Sequence, residues 1–281
     1  MAKTRSSPAP APPRPSAAAA PQARISFRSR KIVKTPPAKA KSLAAPTVQP
    51  PPVLLPALSA PGELAAALRH LAAADPLLSA VISSTEPPIA TFTTSSPSLP
   101  AFHSLARSIL YQQLATSAAA AIYARFLALL PSPTASPASV LALAAADLRA
   151  IGVSARKAAY LHDLAARFAS GDLSEPAVAA MDETALLAQL TKVKGVGEWT
   201  VHMFMIFSLH RPDVLPSGDL GVRKGVQELY NLKSLPRPEE MAVLCERWRP
   251  YRSVGTWYMW RLMESKGAAA KKVKKKSNAS S

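Results

Sequence analysis

Two short stretches hold residues whose types and spacing could do chemistry. The first, Leu190-Thr191-Lys192-Val193-Lys194-Gly195-Val196-Gly197-Glu198-Trp199-Thr200-Val201, reads as a helix end, a two-glycine turn and a new helix start. Glycines let the backbone turn tightly and leave no side chain over the free amides at the next helix's N-terminus. Such amides, with the helix dipole behind them, bind a phosphate. A plain helix-to-helix turn accounts for the same residues, and no Gly-Lys-Ser/Thr follows to make a nucleotide P-loop. The second stretch, Leu215-Pro216-Ser217-Gly218-Asp219-Leu220-Gly221-Val222, sets Asp219 at a helix start. Taken alone, an acid there is an N-cap. Held against a developing positive charge, the same carboxylate stabilises a transition state.

Helices must position both stretches. From Gly62 onward apolar residues recur at helical spacing: Leu64, Leu68 and Leu71, then Leu105, Ile109 and Leu110, then Ile122, Phe126, Leu129 and Leu130. Alanine is abundant and favours helix. Pro131, Pro133 and Pro137 end one helix and open another, Asp147 to Gly152 reads as a break, and Ser154 as the cap of a helix reaching about Ala169. Glu198 to Leu209 carries apolar groups on nearly every face and must be buried. The pattern predicts an all-α domain of roughly nine or ten helices, with a small strand near Ile89 to Thr94.

Charge and composition bound the class. The net charge is +17, but residues 1–62 and 265–281 contain no acid and hold sixteen of the 34 Lys and Arg. The interior is left with eighteen basic residues against all seventeen acids, so generic phosphate attraction would come from the tails. Half of the 28 prolines lie in residues 1–61, and this basic Pro/Ala-rich segment is expected to be disordered. A Lys-rich tail is expected over 267–281, leaving a domain at 62–266 with its hairpin at 182–209. The run Lys271-Lys272-Val273-Lys274-Lys275-Lys276 suits a nuclear import signal; the acid-free N-terminal segment would suit a plastid or mitochondrial transit peptide instead. No apolar run is long enough to span a membrane, and a membrane partner is not expected. The single cysteine, Cys245, makes neither an internal disulfide nor, by itself, a zinc or iron-sulfur site.

The Gly-Val-Gly hairpin followed about 22 residues later by Asp219 resembles the helix-hairpin-helix DNA glycosylase superfamily, and within it the 3-methyladenine, alkyl-base-removing branch. Three further segments agree: Ile109-Leu110-Tyr111-Gln112-Gln113-Leu114, the helix start Gly152 to Lys157, and Trp248-Arg249-Pro250-Tyr251-Arg252-Ser253 leading to Trp257-Tyr258-Met259-Trp260. The resemblance covers about Gly62 to Lys266. It implies two helical subdomains with the active-site cleft between them, flanked by the tails.

It also implies roles. Asp219 would be the catalytic carboxylate, facing the sugar of a flipped nucleotide. Gly195, Val196, Gly197 and Thr200 would meet a phosphate beside the lesion, with Lys192 and Lys194 at neighbouring phosphates. Gln113 and Leu114 would fill the hole left by the extruded base. Trp199, Trp260 and Tyr258 would offer aromatic faces to a cationic alkylated purine. Each has a plainer reading: core for the three aromatics, a solvated helix end for the two lysines. Trp199 stands where bifunctional relatives carry the Schiff-base lysine, implying hydrolysis without strand cutting. The expected partner is double-stranded DNA with damaged bases, bound by a monomer with no cofactor and no metal. Longer relatives carry an N-terminal β domain, for which only about 40 residues are available here. Val254 replaces an aromatic found in close relatives, which puts the substrate range in question.

Overall fold

The computed structural model describes residues 54–93 and 99–279, with side chains described to Gly267. The expected disordered N-terminal segment lies almost wholly outside these residues. No strand occurs among them. Where a strand was expected, Ile89–Phe92 form one helical turn that buries Phe92, because a lone strand would have no neighbour to bond to.

Fourteen helices occur among the described residues, more than the sequence suggested, because short prolyl and capped turns fall below the length that periodicity detects. They are α1 (Glu63–Ala74), α2 (Pro76–Ser84), α3 (Ile89–Phe92), α4 (Ala101–Tyr111), α5 (Thr116–Ala128), α6 (Pro137–Leu141), α7 (Ala145–Ala150), α8 (Ala155–Ala169), α9 (Glu175–Ala180), α10 (Glu183–Leu190), α11 (Glu198–Phe207), α12 (Leu220–Leu229), α13 (Pro238–Leu244) and α14 (Arg252–Ala279), with a 3-10 turn at Glu246–Trp248. Residues 147–150 are helical, so the expected break narrows to Ile151 and Gly152. Ser154 caps α8, its hydroxyl accepting from the Lys157 amide at 3.3 Å.

These helices form two subdomains. In one, α4, α6 and α7 pack on α8 while α5 and α9 pack on α4; in the other, α1, α2 and α12 to α14 pack together, with α14 lying along α12. Helices α10 and α11 join them, α11 packing on α10 and on α4. A buried acid pins the second subdomain: Asp75 caps α2 through the Leu77 and Leu78 amides and accepts from Tyr230 Oη and from Trp248 Nε1 at 2.9 Å. Burial works against this charge, but the donors outweigh it and hold its pKa below the usual aspartate value.

The last helix is longer than expected. Residues 264–267 are all exposed, yet the helix continues to Ala279 through the lysine run that the sequence placed in a separate tail. Three alanines and the lysines that follow are good helix formers continuous with a packed helix, so propagation needs no new nucleus.

Candidate active site

Asp219 begins α12 and uses its two oxygens differently. Oδ1 accepts from the Val222 amide at 2.8 Å, the N-cap bond read from sequence, and from Trp260 Nε1 at 3.0 Å. Oδ2 accepts from Trp199 Nε1 at 2.7 Å. The cap and the candidate catalyst are therefore the same carboxylate, restrained by one amide and two indoles. Gly221 permits this arrangement, since a Cβ there would stand 3.0 Å from Trp260 Cδ1 and 3.1 Å from Asp219 Oδ1. Phe207 stacks on Trp260 at 5.7 Å between centroids and fixes its plane.

The loop ahead of Asp219 is held from the other side. Arg252 is buried and grips Asp213 through Nε at 2.5 Å and a terminal nitrogen at 3.1 Å, while Arg249 reaches the same carboxylate at 2.6 Å. Ser253 Oγ donates to the Arg211 carbonyl and accepts from the Val214 amide. The Arg-Ser segment that carried the resemblance thus acts through the Leu-Pro loop, fixing where α12 can start.

Trp199 links the acid to a hollow. Its indole is 53% exposed and lines a cavity of about 450 Å³ with Ser108, Tyr111, Gln113, Thr200 and Met203, a volume fit for a nucleobase. Asp219 does not itself line this cavity and reaches its rim through Trp199. Tyr258 does not join them. It is fully buried, edge-on to Trp257, and its hydroxyl has no partner among the described residues, so it serves the core and offers no face to the cleft.

The hairpin between α10 and α11 has two open amides. Among the described residues none accepts from the Gly195 or Gly197 amide, whereas the Val196 amide bonds to the Val193 carbonyl and its side chain is buried. Val196 anchors the turn and leaves the glycines to present it. Gly195 has φ +80° and lies directly on the Tyr160 ring, where a Cβ would be 2.1 Å from the nearest carbon. Thr200 is also buried, its hydroxyl 3.4 Å from Gln112 Nε2. Of the two lysines, Lys192 turns to Gln189, and Lys194 is 70% exposed with its ammonium 3.7 Å from Asp163.

Gln113 and Leu114 stand in solvent on the same side as the hairpin, Gln113 at φ 56° and Leu114 40% exposed. Gln112, the residue before them, was not among the expected site residues. Gln112 Nε2 donates to the Gly195 carbonyl at 2.9 Å and joins this loop to the hairpin. Its place in the quoted Tyr-Gln-Gln segment was the available signal. Phe207 and Gly221 gave none, because their roles depend on Trp260, from a distant helix.

Comparison with known proteins identifies the family. Residues 106–250, just over half of the chain, match the family described as HhH-GPD superfamily base excision DNA repair protein. The chain belongs to the HhH-GPD superfamily. Among its members, DNA-3-methyladenine glycosylase 1 of Schizosaccharomyces pombe is 34% identical over 164 residues, 57% of this chain and 71% of that one. The solved structure of the 3-methyladenine DNA glycosylase of S. pombe in complex with abasic DNA aligns with a TM-score of 0.60 at 29% identity, covering 70% of this chain and 95% of that chain. A DNA-3-methyladenine glycosidase from Bacillus halodurans gives a TM-score of 0.60 at 31% identity, covering 73% and 90%. The HhH-GPD fold is thus established for the two helical subdomains and the hairpin between them.

Proposed function

We propose that this chain is a monofunctional DNA glycosylase that flips alkylated purines of the 3-methyladenine and 7-methylguanine kind out of duplex DNA and hydrolyses their glycosidic bond. The observation that carries the reading is Asp219, a carboxylate held by two indoles, one of which walls a cavity of about 450 Å³ that also meets the hairpin. The names of the relatives support the same substrate class.

The chemistry follows from the residues. A base inside a duplex is unreachable, so it must be extruded, at a cost of a few kcal/mol. The open amides of Gly195 and Gly197 would hold the strand at a phosphate, and Gln113 with Leu114 would occupy the vacated stack. Bond cleavage leaves positive charge on the sugar, and Asp219 would stabilise it and orient water. An alkylated purine is already cationic and leaves without much acid help. The open indole face of Trp199 would attract it by about 0.5–2 kcal/mol; Trp260, with one face taken by Phe207, would act mainly by holding the acid.

The test is base release from methylated duplex by the parent and by Asp219→Asn. Asparagine still caps α12, so the fold should persist while the rate falls by roughly 10²- to 10³-fold. A variant as fast as the parent would refute the assignment, and damage-selective binding without any release would make the chain a DNA-binding module. Borohydride should trap no covalent complex, since Trp199 replaces the lysine needed for one. The protein is proposed to act as a monomer in the nucleus, directed by Lys271–Lys276. Replacing that run should redistribute a fluorescent fusion, whereas an unchanged pattern, or one set by the N-terminal segment, would overturn the assignment.

A further inference from the structure

Helix α8 lies outside the cleft, yet three of its residues, spaced three apart and so on one face, each hold a piece of the surface proposed above to meet DNA. Lys157 donates from Nζ to the Leu110 and Gln112 carbonyls, both at 2.7 Å. The Tyr160 ring fills the space under Gly195. Asp163 accepts from the Lys194 amide at 3.0 Å. One rigid helix thus grips the end of α4 at its first turn and the hairpin over its next two.

We propose that Lys157 is a positioning residue that sets the Gln113-Leu114 wedge at a fixed offset from the hairpin's phosphate site; this rests on the base-excision reading above. Leu110 and Gln112 carry carbonyls left without helical partners where α4 ends, and one ammonium bridges both, where the helix dipole also favours a cation. The chain then reverses at once, with Gln113 in the left-handed region and Leu114 projecting. Gln112, fixed by its carbonyl to Lys157, sends its side chain the other way to the Gly195 carbonyl. The bridge closes around a cavity of about 460 Å³ whose lining includes Gln113, Leu114, Lys157, Tyr160 and Gly195. Burial holds the Lys157 pKa below the usual lysine value, and the two carbonyls give its charge a fixed place.

An offset of this kind has a specific use. The strand is gripped at one point and pried at another, and prying succeeds only if the two are spaced correctly, since displacements near 1 Å cost rate steeply. A lysine that merely capped α4 would affect every substrate alike. A lysine that sets the wedge affects only substrates whose base must still be levered out.

Single-turnover release of 7-methylguanine from two duplexes separates these roles, one with the base paired to cytosine and one with it opposite an abasic site. Lys157→Met should slow release from the paired duplex about tenfold and from the unpaired one less than about twofold, with Lys157→Arg recovering part of the loss. Gln112→Ala, which leaves the α4 cap intact, should show the same selective loss if Lys157→Met does not fold. Equal losses on both duplexes, or no loss on either, would overturn the inference. No release by the parent from either duplex would instead overturn the base-excision reading itself.

Discussion

The indole nitrogen of Trp199 lies 2.7 Å from Asp219 Oδ2, so the aromatic residue proposed to wall the base cavity is also a hydrogen-bond donor to the candidate catalytic acid. Trp199 thereby combines two tasks, a wall of the cavity and a restraint on the carboxylate. Trp199→Phe separates them. A smaller aromatic face is kept and the bond to Oδ2 is lost, so release of methylated bases should slow by about tenfold, the worth of a hydrogen bond to a charged group. Single-turnover kinetics would measure this, and an unchanged rate would show that the bond does not matter to catalysis.

The two hairpin glycines should respond differently to alanine. Gly195→Ala meets both a positive φ and the Tyr160 ring, and should destabilise the protein by about 1–3 kcal/mol or more in thermal or urea unfolding. Gly197 has φ −99° and open space at its Cβ position, so Gly197→Ala should leave stability nearly unchanged. A methyl beside the free amides should nevertheless weaken DNA binding. Equal stabilities for the two variants would contradict the turn geometry.

Arg252→Lys should be costly despite keeping the charge. Lysine cannot reproduce the forked contact with Asp213, and the half-buried carboxylate would keep Arg249 as its remaining strong partner, a loss of about 1–3 kcal/mol. Because this contact fixes the loop leading to Asp219, base release should also fall at temperatures where the variant is fully folded. Retained activity in the folded variant would mean that the loop is held without it.

Asp75 predicts a sensitivity to acid. Its folded pKa is depressed, so its contribution is present above the unfolded value near 3.8 and is lost as pH drops through the lower folded value. Asp75→Asn should therefore cost about 2–4 kcal/mol at neutral pH, and the gap from the parent should narrow as pH falls below 3.8. Unfolding measured across pH would detect a gap that stays constant, the result inconsistent with an ionised buried acid.

The thiol of Cys245 is fully buried and its pKa is pushed up to about 12 by burial, so it should resist alkylation at neutral pH in the folded protein and react on denaturation. Mass spectrometry after iodoacetamide treatment would reveal early modification, which would contradict this packing.

The sequence by itself determined the all-α class, the two-glycine hairpin, the cap at Asp219 and the cap at Ser154, because helical periodicity and capping depend on neighbours within a few residues. It also singled out Trp199 and Trp260 without showing that their indoles converge on one carboxylate. Only the tertiary structure decided that, together with the burial of Tyr258, the grip of Arg252 on Asp213 and the hold of Lys157 on the loop after α4. Each depends on contacts between distant parts of the chain, and their distances arise from how whole helices pack. A spacing rule sees which residues share a helix face, but not what that face will meet.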